Sequence, residues 1–379
     1  MTVRFLSGVI LCVSTVVTMK AQEAVTNPYL QVMEKAGAHA REHGAVQPVL
    51  SPVDATVLSG EVPLKELQAK GFKVVPWTTN DPEKMRTQIR MGIDGLITDR
   101  PDLLQQVLKE ERAAAKTAGE RERLAKFDVT AHRGGRGLRP ENTLPSFESG
   151  LDQLVTTLET DTGVTTDGVS LIWHDQFLNP QSCRHADGTP YTMENRVFIK
   201  DISSTEAQKT IICDKLHFGA EQKNDLALSP VAVAFAKKEG LISPYVPTYA
   251  AQLFRFVNFY VEYYRIGPGK ADAHAKERAA NAARARFNLE TKIMPEGIPG
   301  DDGHTNHTAG PQAFVEALCG AIVKGGMESR AEVQSFDFRT LILIEEQYSK
   351  IPTYYLTGPA KMLTSPWVPE ALRATADKR

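Results

Sequence analysis

Little in this sequence is extreme, and each thing it lacks removes a class of protein. Forty-four Lys and Arg nearly balance forty-six Asp and Glu, leaving a net charge of -2. With no excess of positive charge, nucleic acid is not an expected partner. Low-complexity tracts and internal duplications are absent, which leaves no repeat array to propose. The apolar run from Phe5 to Met19 is too short for a membrane span, so no stable one is expected. Cysteine is scarce, at four residues.

That apolar run follows Arg4 and ends in small residues near Ala21, which predicts a secretory signal over 1–21 and an exported chain, periplasmic or extracellular. Lys20 beside the cleavage point favours the alternative, a buried strand or an uncleaved anchor. Cys12 does not lie in a lipobox. With 1–21 removed, Cys183, Cys213 and Cys319 remain. An oxidising compartment would allow Cys183 to pair with Cys213, leaving Cys319 free. Three unpaired thiols fit the sequence equally well.

What is present is a 379-residue chain that is 42% hydrophobic, enough for a sizeable core. Its periodicity alternates. A helix is predicted over Tyr29–His43, a strand over Ala45–Ser51, a helix over Pro63–Lys70, a strand over Phe72–Trp77, a helix over Asp81–Met91 and a strand over Ile93–Thr98. This is the pattern of a parallel sheet. A long helix is expected from Asp102 to about Lys126, its last part without an apolar stripe. Strands follow over 127–130, 156–161, 287–293, 331–336 and 352–356, and a hairpin over 164–173. Three strands precede residue 127 and five follow it, which makes eight.

The chemistry concentrates in the stretch from Ala131 to Thr143. A strand runs into a turn holding Gly134, Gly135 and Gly137, with His132, Arg133, Arg136, Arg139 and Glu141 crowded beside them. Glu159-Thr160-Asp161 ends the next strand, Thr166-Asp167-Gly168 forms a turn, and His174-Asp175 follows. Glu159 and Asp161 alternate on one strand and so point to one side. Glu290, two residues before Lys292, supplies a third carboxylate from the following strand. Three hard oxygen donors suit Ca²⁺ or Mg²⁺. Histidines near neutrality can take and give protons. Nine histidines occur in all, and His39, His43, His185, His217 and His274 have no such context.

Taken together, the His-Arg-Gly turn, Pro140-Glu141-Asn142-Thr143, Glu159-x-Asp161, Thr-x-Asp167-Gly168 and His174-Asp175 resemble the glycerophosphodiester phosphodiesterases. Asn288-Leu289-Glu290-Thr291-Lys292 and Gln334-Ser335-Phe336-Asp337 resemble that family's third and fourth strands. Its closing motifs resemble Trp77-Thr78-Thr79-Asn80 and the run from Gly92 to Pro101, but these stand ahead of the opening motif.

The resemblance implies a (β/α)₈ TIM barrel in circularly permuted order. Residues 22–105 would carry family strands 6–8, 106–126 the joining helix, and 127–379 strands 1–5, with a cap inserted at 176–286. In a closed barrel the first and last strands are neighbours, so such a cut preserves every pairing. The alternative is that each half completes the other half of a second copy. The implied reaction is metal-dependent hydrolysis of glycerophosphodiesters to sn-glycerol 3-phosphate and an alcohol. His132 and His174 would handle protons. Glu159, Asp161 and Glu290 would hold one divalent cation. Arg133 and Lys292 would clamp the phosphate, Glu141 and Asn142 would brace the first turn, and Trp77 would line the pocket or pack in the core. A phospholipase C- or D-type phosphodiesterase acting on lipid head groups, and a barrel that only binds phosphodiesters, are the alternatives. The loop Asp301–His307 reads as a solvated rim rather than a second metal site, and Asp99 and Asp337 as helix caps.

Overall fold

The computed structural model describes residues 27–293 and 306–375. The expected signal at 1–21 lies outside them, as do residues 301–305 of the Asp301–His307 loop.

Helix α1 (Pro28–Glu42) opens the described chain and leads into β1 (Val49–Pro52). Short helices α2 (Asp54–Leu58) and α3 (Leu64–Ala69) follow, then an extended segment over 72–77. Helix α4 (Pro82–Met91) is bounded as its sequence dictates: the Asp81 side chain accepts from Lys84 N, Pro82 fills the first turn, and Gly92 closes the end with a left-handed φ of 96°. Strand β2 (Gly95–Thr98), helices α5 (Pro101–Ala114) and α6 (Ala118–Ala125), β3 (Asp128–Ala131), α7 (Leu144–Asp152) and β4 (Thr157–Val164) come next. The β4 strand turns back into β5 (Ser170–Ile172), an antiparallel partner. The region beyond holds β6 (Arg184–His185), α8 (Ser204–Thr210), β7 (Ile211–Ile212), α9 (Pro230–Glu239), α10 (Ala250–Arg265) and α11 (Ala275–Ala282). The chain then returns through β8 (Arg286–Thr291), α12 (Pro311–Lys324), β9 (Ala331–Ser335), α13 (Phe338–Gln347), β10 (Thr353–Thr357) and α14 (Ala360–Leu363).

The parallel strands run β1-β10-β9-β8-β4-β3-β2 across the sheet. The extended segment closes it into a ring. On one side Leu50 N donates to Lys73 O at 3.0 Å, Val75 N to Leu50 O at 2.9 Å and Trp77 N to Pro52 O at 3.0 Å. On the other, Asp94 N donates to Val74 O at 3.0 Å and Ile97 N to Pro76 O at 2.9 Å. Eight extended segments therefore enclose one barrel, as expected, and β1 near the chain's start pairs with β10 near its end. Pro76 has no N–H, and the ladder here is reduced to isolated bridges.

Two expectations are corrected. The long helix predicted to Lys126 breaks after Ala114, because the Thr117 hydroxyl accepts from Glu120 N while the Glu120 carboxylate accepts from Thr117 N, a capping box that starts α6 afresh. The 176–286 insertion is not of one piece. Its second half packs into the main core: Phe235, Phe256, Val257 and Tyr260 are buried in the same cluster as Phe147, Phe287 and Leu318. Helices α9–α11 are thus part of the ring around the sheet rather than a cap. The first part packs Leu178, Tyr191, Ile199 and Ile211 with Leu171 and Trp173, which precede it, into a small core of its own, stapled by a Cys183–Cys213 disulfide. Cys319 is free and buried in α12.

Candidate active site

Parallel register aligns the site. Asp161 of β4 lies level with Glu290 of β8, and Glu290 with Gln334 of β9. Glu290 and Gln334 stand at the carboxyl-terminal ends of their strands, and Asp161 near the end of the stretch that β4 pairs with β8, the side where barrels of this kind carry their chemistry. Glu159 sits one alternation below Asp161 on the same face.

The glycine turn after β3 is set by close contacts. A Cβ on Gly134 would come within 2.8 Å of the backbone of Ser146 and Phe147, and one on Gly137 within 2.7 Å of Asp99 O. Just ahead of Gly134 the backbone is over-determined: Arg133 takes φ 50°, and its N donates to Glu159 Oε2 at 2.8 Å while its carbonyl accepts from Asn142 N at 3.1 Å and Ser146 Oγ at 2.7 Å. A non-glycine residue in that conformation costs about 1–3 kcal/mol, so the surrounding bonds must hold it there.

The two histidines are each held by a carboxylate. His132 Nδ1 is 2.6 Å from Asp99 Oδ1, and His174 Nδ1 is 2.7 Å from Asp175 Oδ1, while Asp175 Oδ2 accepts from Asn179 Nδ2. In both, Nδ1 is engaged and Nε2 is left for chemistry; His132 Nε2 lies 3.9 Å from Glu159 Oε2. Burial pushes the His132 imidazole down to about 4 despite the pull of Asp99. Burial, with the charges of Arg133 and Lys292, lowers His174 as well.

Glu159, Asp161 and Glu290 come together as expected. One oxygen from each lies within 4.8 Å of the others, and all three are buried. Burial and mutual repulsion raise Glu159 well above the carboxylate range, and burial raises Glu290 to about 7. Asp161 goes the other way, because Arg133, His174 and Lys292 outweigh the cost of its burial. Asp161 Oδ1 has no hydrogen-bond partner. Three crowded buried carboxylates with an orphaned oxygen are costly as they stand, and a divalent cation of the Ca²⁺ or Mg²⁺ kind fits that donor set.

The remaining predicted residues surround this centre. Arg133 donates to Glu141 Oε2 at 2.6 Å and lies 3.3 Å from Asp161 Oδ2, and Lys292 Nζ donates to Glu290 Oε1 at 3.1 Å. Asn142 braces side chains: its Nδ2 donates to Asp161 Oδ2 at 3.0 Å and its Oδ1 accepts from Thr160 Oγ1 at 2.8 Å. Trp77 lines the same cavity as His132, Asp161, His174, Glu290 and Lys292. Its indole N–H donates to Ser51 O at 3.0 Å and its ring meets Phe336 edge-on at 5.3 Å, so it forms a fixed wall.

Sequence reasoning missed three participants. Asp99 does not cap α5; besides His132 it accepts from Arg136 Nε at 2.7 Å. Gln334 donates to Glu159 Oε1 at 2.8 Å, and Phe336 lines the cavity. Asp337, by contrast, caps α13 as expected, accepting from Arg339 N at 3.0 Å. Of the Asp301–His307 loop only Asn306 and His307 are described; His307 Nε2 is 2.8 Å from Asp201 Oδ2, and His307 borders a small cavity beside Asp175 and Lys292, at the rim of the site.

Fold and site together define a barrel protein with two carboxylate-held histidines and a buried carboxylate cluster at the carboxyl ends of its strands. The sequence model of the glycerophosphoryl diester phosphodiesterase family matches residues 8–103 and 132–378, and the chain belongs to that family. A curated lysophospholipase D from Mus musculus is 37% identical over 73 residues, 19% of this chain and 22% of that protein. The matched stretch thus spans about a fifth of that relative's length. Among solved structures, a candidate glycerophosphoryl diester phosphodiesterase from Silicibacter pomeroyi is 22% identical with a TM-score of 0.42, over 65% of this chain and 68% of its own. A phosphodiesterase from Oleispira antarctica in complex with the product sn-glycerol-3-phosphate is 15% identical with a TM-score of 0.35, over 60% of this chain and 65% of its own.

Proposed function

We propose that this chain hydrolyses glycerophosphodiesters to sn-glycerol 3-phosphate and an alcohol, with one divalent cation, Ca²⁺ or Mg²⁺. The observation that carries the reading is the pair of carboxylate-held histidines, His132–Asp99 and His174–Asp175, beside the buried Glu159–Asp161–Glu290 cluster, with both imidazoles, Asp161 and Glu290 lining one cavity.

Hydrolysis forms a bond from phosphorus to the attacking oxygen and breaks the bond to the leaving alcohol. One imidazole takes the proton of the attacking oxygen and the other returns a proton to the leaving alkoxide. The Nδ1 carboxylates hold both rings in the tautomer that presents Nε2. Arg133 and Lys292 lie beside the carboxylates, placed to share their charge with the non-bridging phosphate oxygens. A cation held by the three carboxylates would supply further positive charge there. Trp77 and Phe336 give the cavity an apolar wall for the rest of the substrate.

The chain also stands as a circularly permuted barrel in this reading, supported by the pairing of β1 with β10 and by the family's closing motifs preceding its opening one. Export is supported by the apolar leader-like run and by the Cys183–Cys213 disulfide. Among the described residues no helix is long and apolar enough to cross a membrane.

The test is turnover of glycerophosphocholine with and without EDTA. Cation-dependent release of choline and glycerol 3-phosphate that disappears in His132→Ala is the expected result. A folded protein inactive with added Ca²⁺, Mg²⁺ and Mn²⁺ would make this a binding barrel instead. Preference for lysophosphatidylcholine in the same assay would move it to the phospholipase D reading.

A further inference from the structure

On the opposite face of the barrel, two helix ends bring a second set of ligands together. His39 and His43 lie one turn apart at the carboxyl end of α1, and Glu346 lies at the carboxyl end of α13. Both helices lead into their strands, β1 and β10, so these ends lie at the strands' amino termini, away from the catalytic cavity. One ligand atom from each of the three residues lies within 4.8 Å of the others. His39 Nε2 is 3.5 Å from Glu346 Oε1, near the ~3.3 Å that separates two ligands of a tetrahedral zinc with bonds of about 2.0–2.1 Å. The two imidazoles are 4.4 Å apart.

We propose that His39, His43 and Glu346 form a binding site for a divalent transition metal of the zinc class. Two nitrogens and one carboxylate oxygen suit that class rather than the hard cations of the catalytic centre.

The outer contacts are those of a metal-ligating histidine. His39 Nδ1 is 2.7 Å from Glu345 Oε2, and Glu345 Oε1 accepts from Thr353 Oγ1 at 2.8 Å and from Tyr355 Oη at 2.9 Å. That chain of bonds fixes the ring and leaves Nε2 as the free donor. His43 Nδ1 bonds its own helix at His39 O, 2.9 Å away, with the same consequence for its Nε2. His43 and Glu346 are exposed, so small side-chain rotations close the set around an ion. The fourth position would go to water. The metal would join α1 to α13 where the chain's first and last barrel strands meet, beside the bond from Val46 N to Ser349 O at 3.2 Å. Its role is therefore to clamp the seam of the ring.

The full chain, with excess Mg²⁺ to occupy the hard-ligand site, is titrated with Zn²⁺ alone and its melting temperature followed. His43→Ala is the first variant; the residue is exposed and outside the core, so the fold is retained, which circular dichroism checks. Wild type is expected to bind one more equivalent of Zn²⁺ than His43→Ala, and Zn²⁺ is expected to raise the melting temperature of wild type more than that of the variant. Glu346→Gln should weaken the site by at least about tenfold. Any Zn²⁺ entering the catalytic cavity is common to all three proteins and cancels. Equal zinc equivalents and equal thermal shifts in wild type and His43→Ala would overturn the proposal.

Discussion

His132 and Asp99 are joined Nδ1 to Oδ1 at 2.6 Å, across the boundary between the two blocks of family motifs. Asp99 follows β2 and His132 follows β3, its parallel neighbour over four aligned residues. The segment ahead of Lys126 therefore supplies part of the candidate site.

Replacing Asp99 with Asn tests that link. The amide cannot hold the imidazolium as a carboxylate does, and it weakens the bond to Arg136. A fall in kcat of about a hundredfold or more is expected, the range typical of lost acid–base catalysis, with KM little changed. A variant that is folded and keeps its kcat would show that Asp99 is only structural.

The carboxylate cluster predicts a pH-dependent response to cations. Glu290 is raised to about 7 in the fold from 4.5 in an unfolded chain, and Glu159 is raised too. Raised carboxyl values mean that stability present below the unfolded value is lost as pH climbs through the folded one. A cation binds the ionised form and reverses that loss. The gain in melting temperature from Mg²⁺ or Ca²⁺ over EDTA should therefore widen between about pH 5 and about pH 8. At a hundred times its dissociation constant the ion contributes about 2.7 kcal/mol. Asp161→Asn should abolish most of the gain; melting curves unaffected by the ion at every pH would count against the cation site.

The small core above the barrel should fail by itself. The Cys183–Cys213 bridge closes a loop with a sequence separation of 30, and removing a crosslink of that size costs about 2–4 kcal/mol. Cys213→Ser, or reduction, should loosen the stretch around Trp173 and Ile199 while the barrel keeps its melting transition. Hydrogen exchange checks this: loss of protection confined to 171–213 is the expected pattern, and loss across β4 and β8 would mean that the small core supports the barrel.

The sequence carried the site better than it carried the surroundings. Glu159 and Asp161 were legible because strand alternation puts them on one face, and Glu290 because its motif resembles the family's next strand. Asp99 was not. Ahead of Arg100-Pro101 it has the look of a helix cap, and only the pairing of β2 with β3 turns it toward His132. Gln334 was hidden for a similar reason, since a lone glutamine in a strand has no signature until Glu159 is seen beside it. The insertion misled through composition. Its Pro-, Tyr- and charge-rich stretches blurred the period, yet α10 buries Phe256, Val257 and Tyr260 against the sheet like any other barrel helix. His39 and His43 are a helical turn apart in sequence, but nothing in sequence places Glu346 next to them.

The permuted reading makes a prediction about connectivity. If the chain is one ring, the residues between α5 and α6 only join two neighbouring strands, and the ring is held by β2–β3 pairing, the Asp99–His132 bond and the Arg136–Asp99 bond. A protease site placed at Lys116, which lies between the two helices, should therefore be cut without dispersing the halves. The nicked protein should elute with the uncut one at the mass of a single 41.7 kDa chain less any leader, and keep most of its activity. A barrel completed instead by a second copy would elute at twice that mass before cutting. Cleavage would then sever the only covalent tie between exchanged halves, leaving particles of about half the uncut mass.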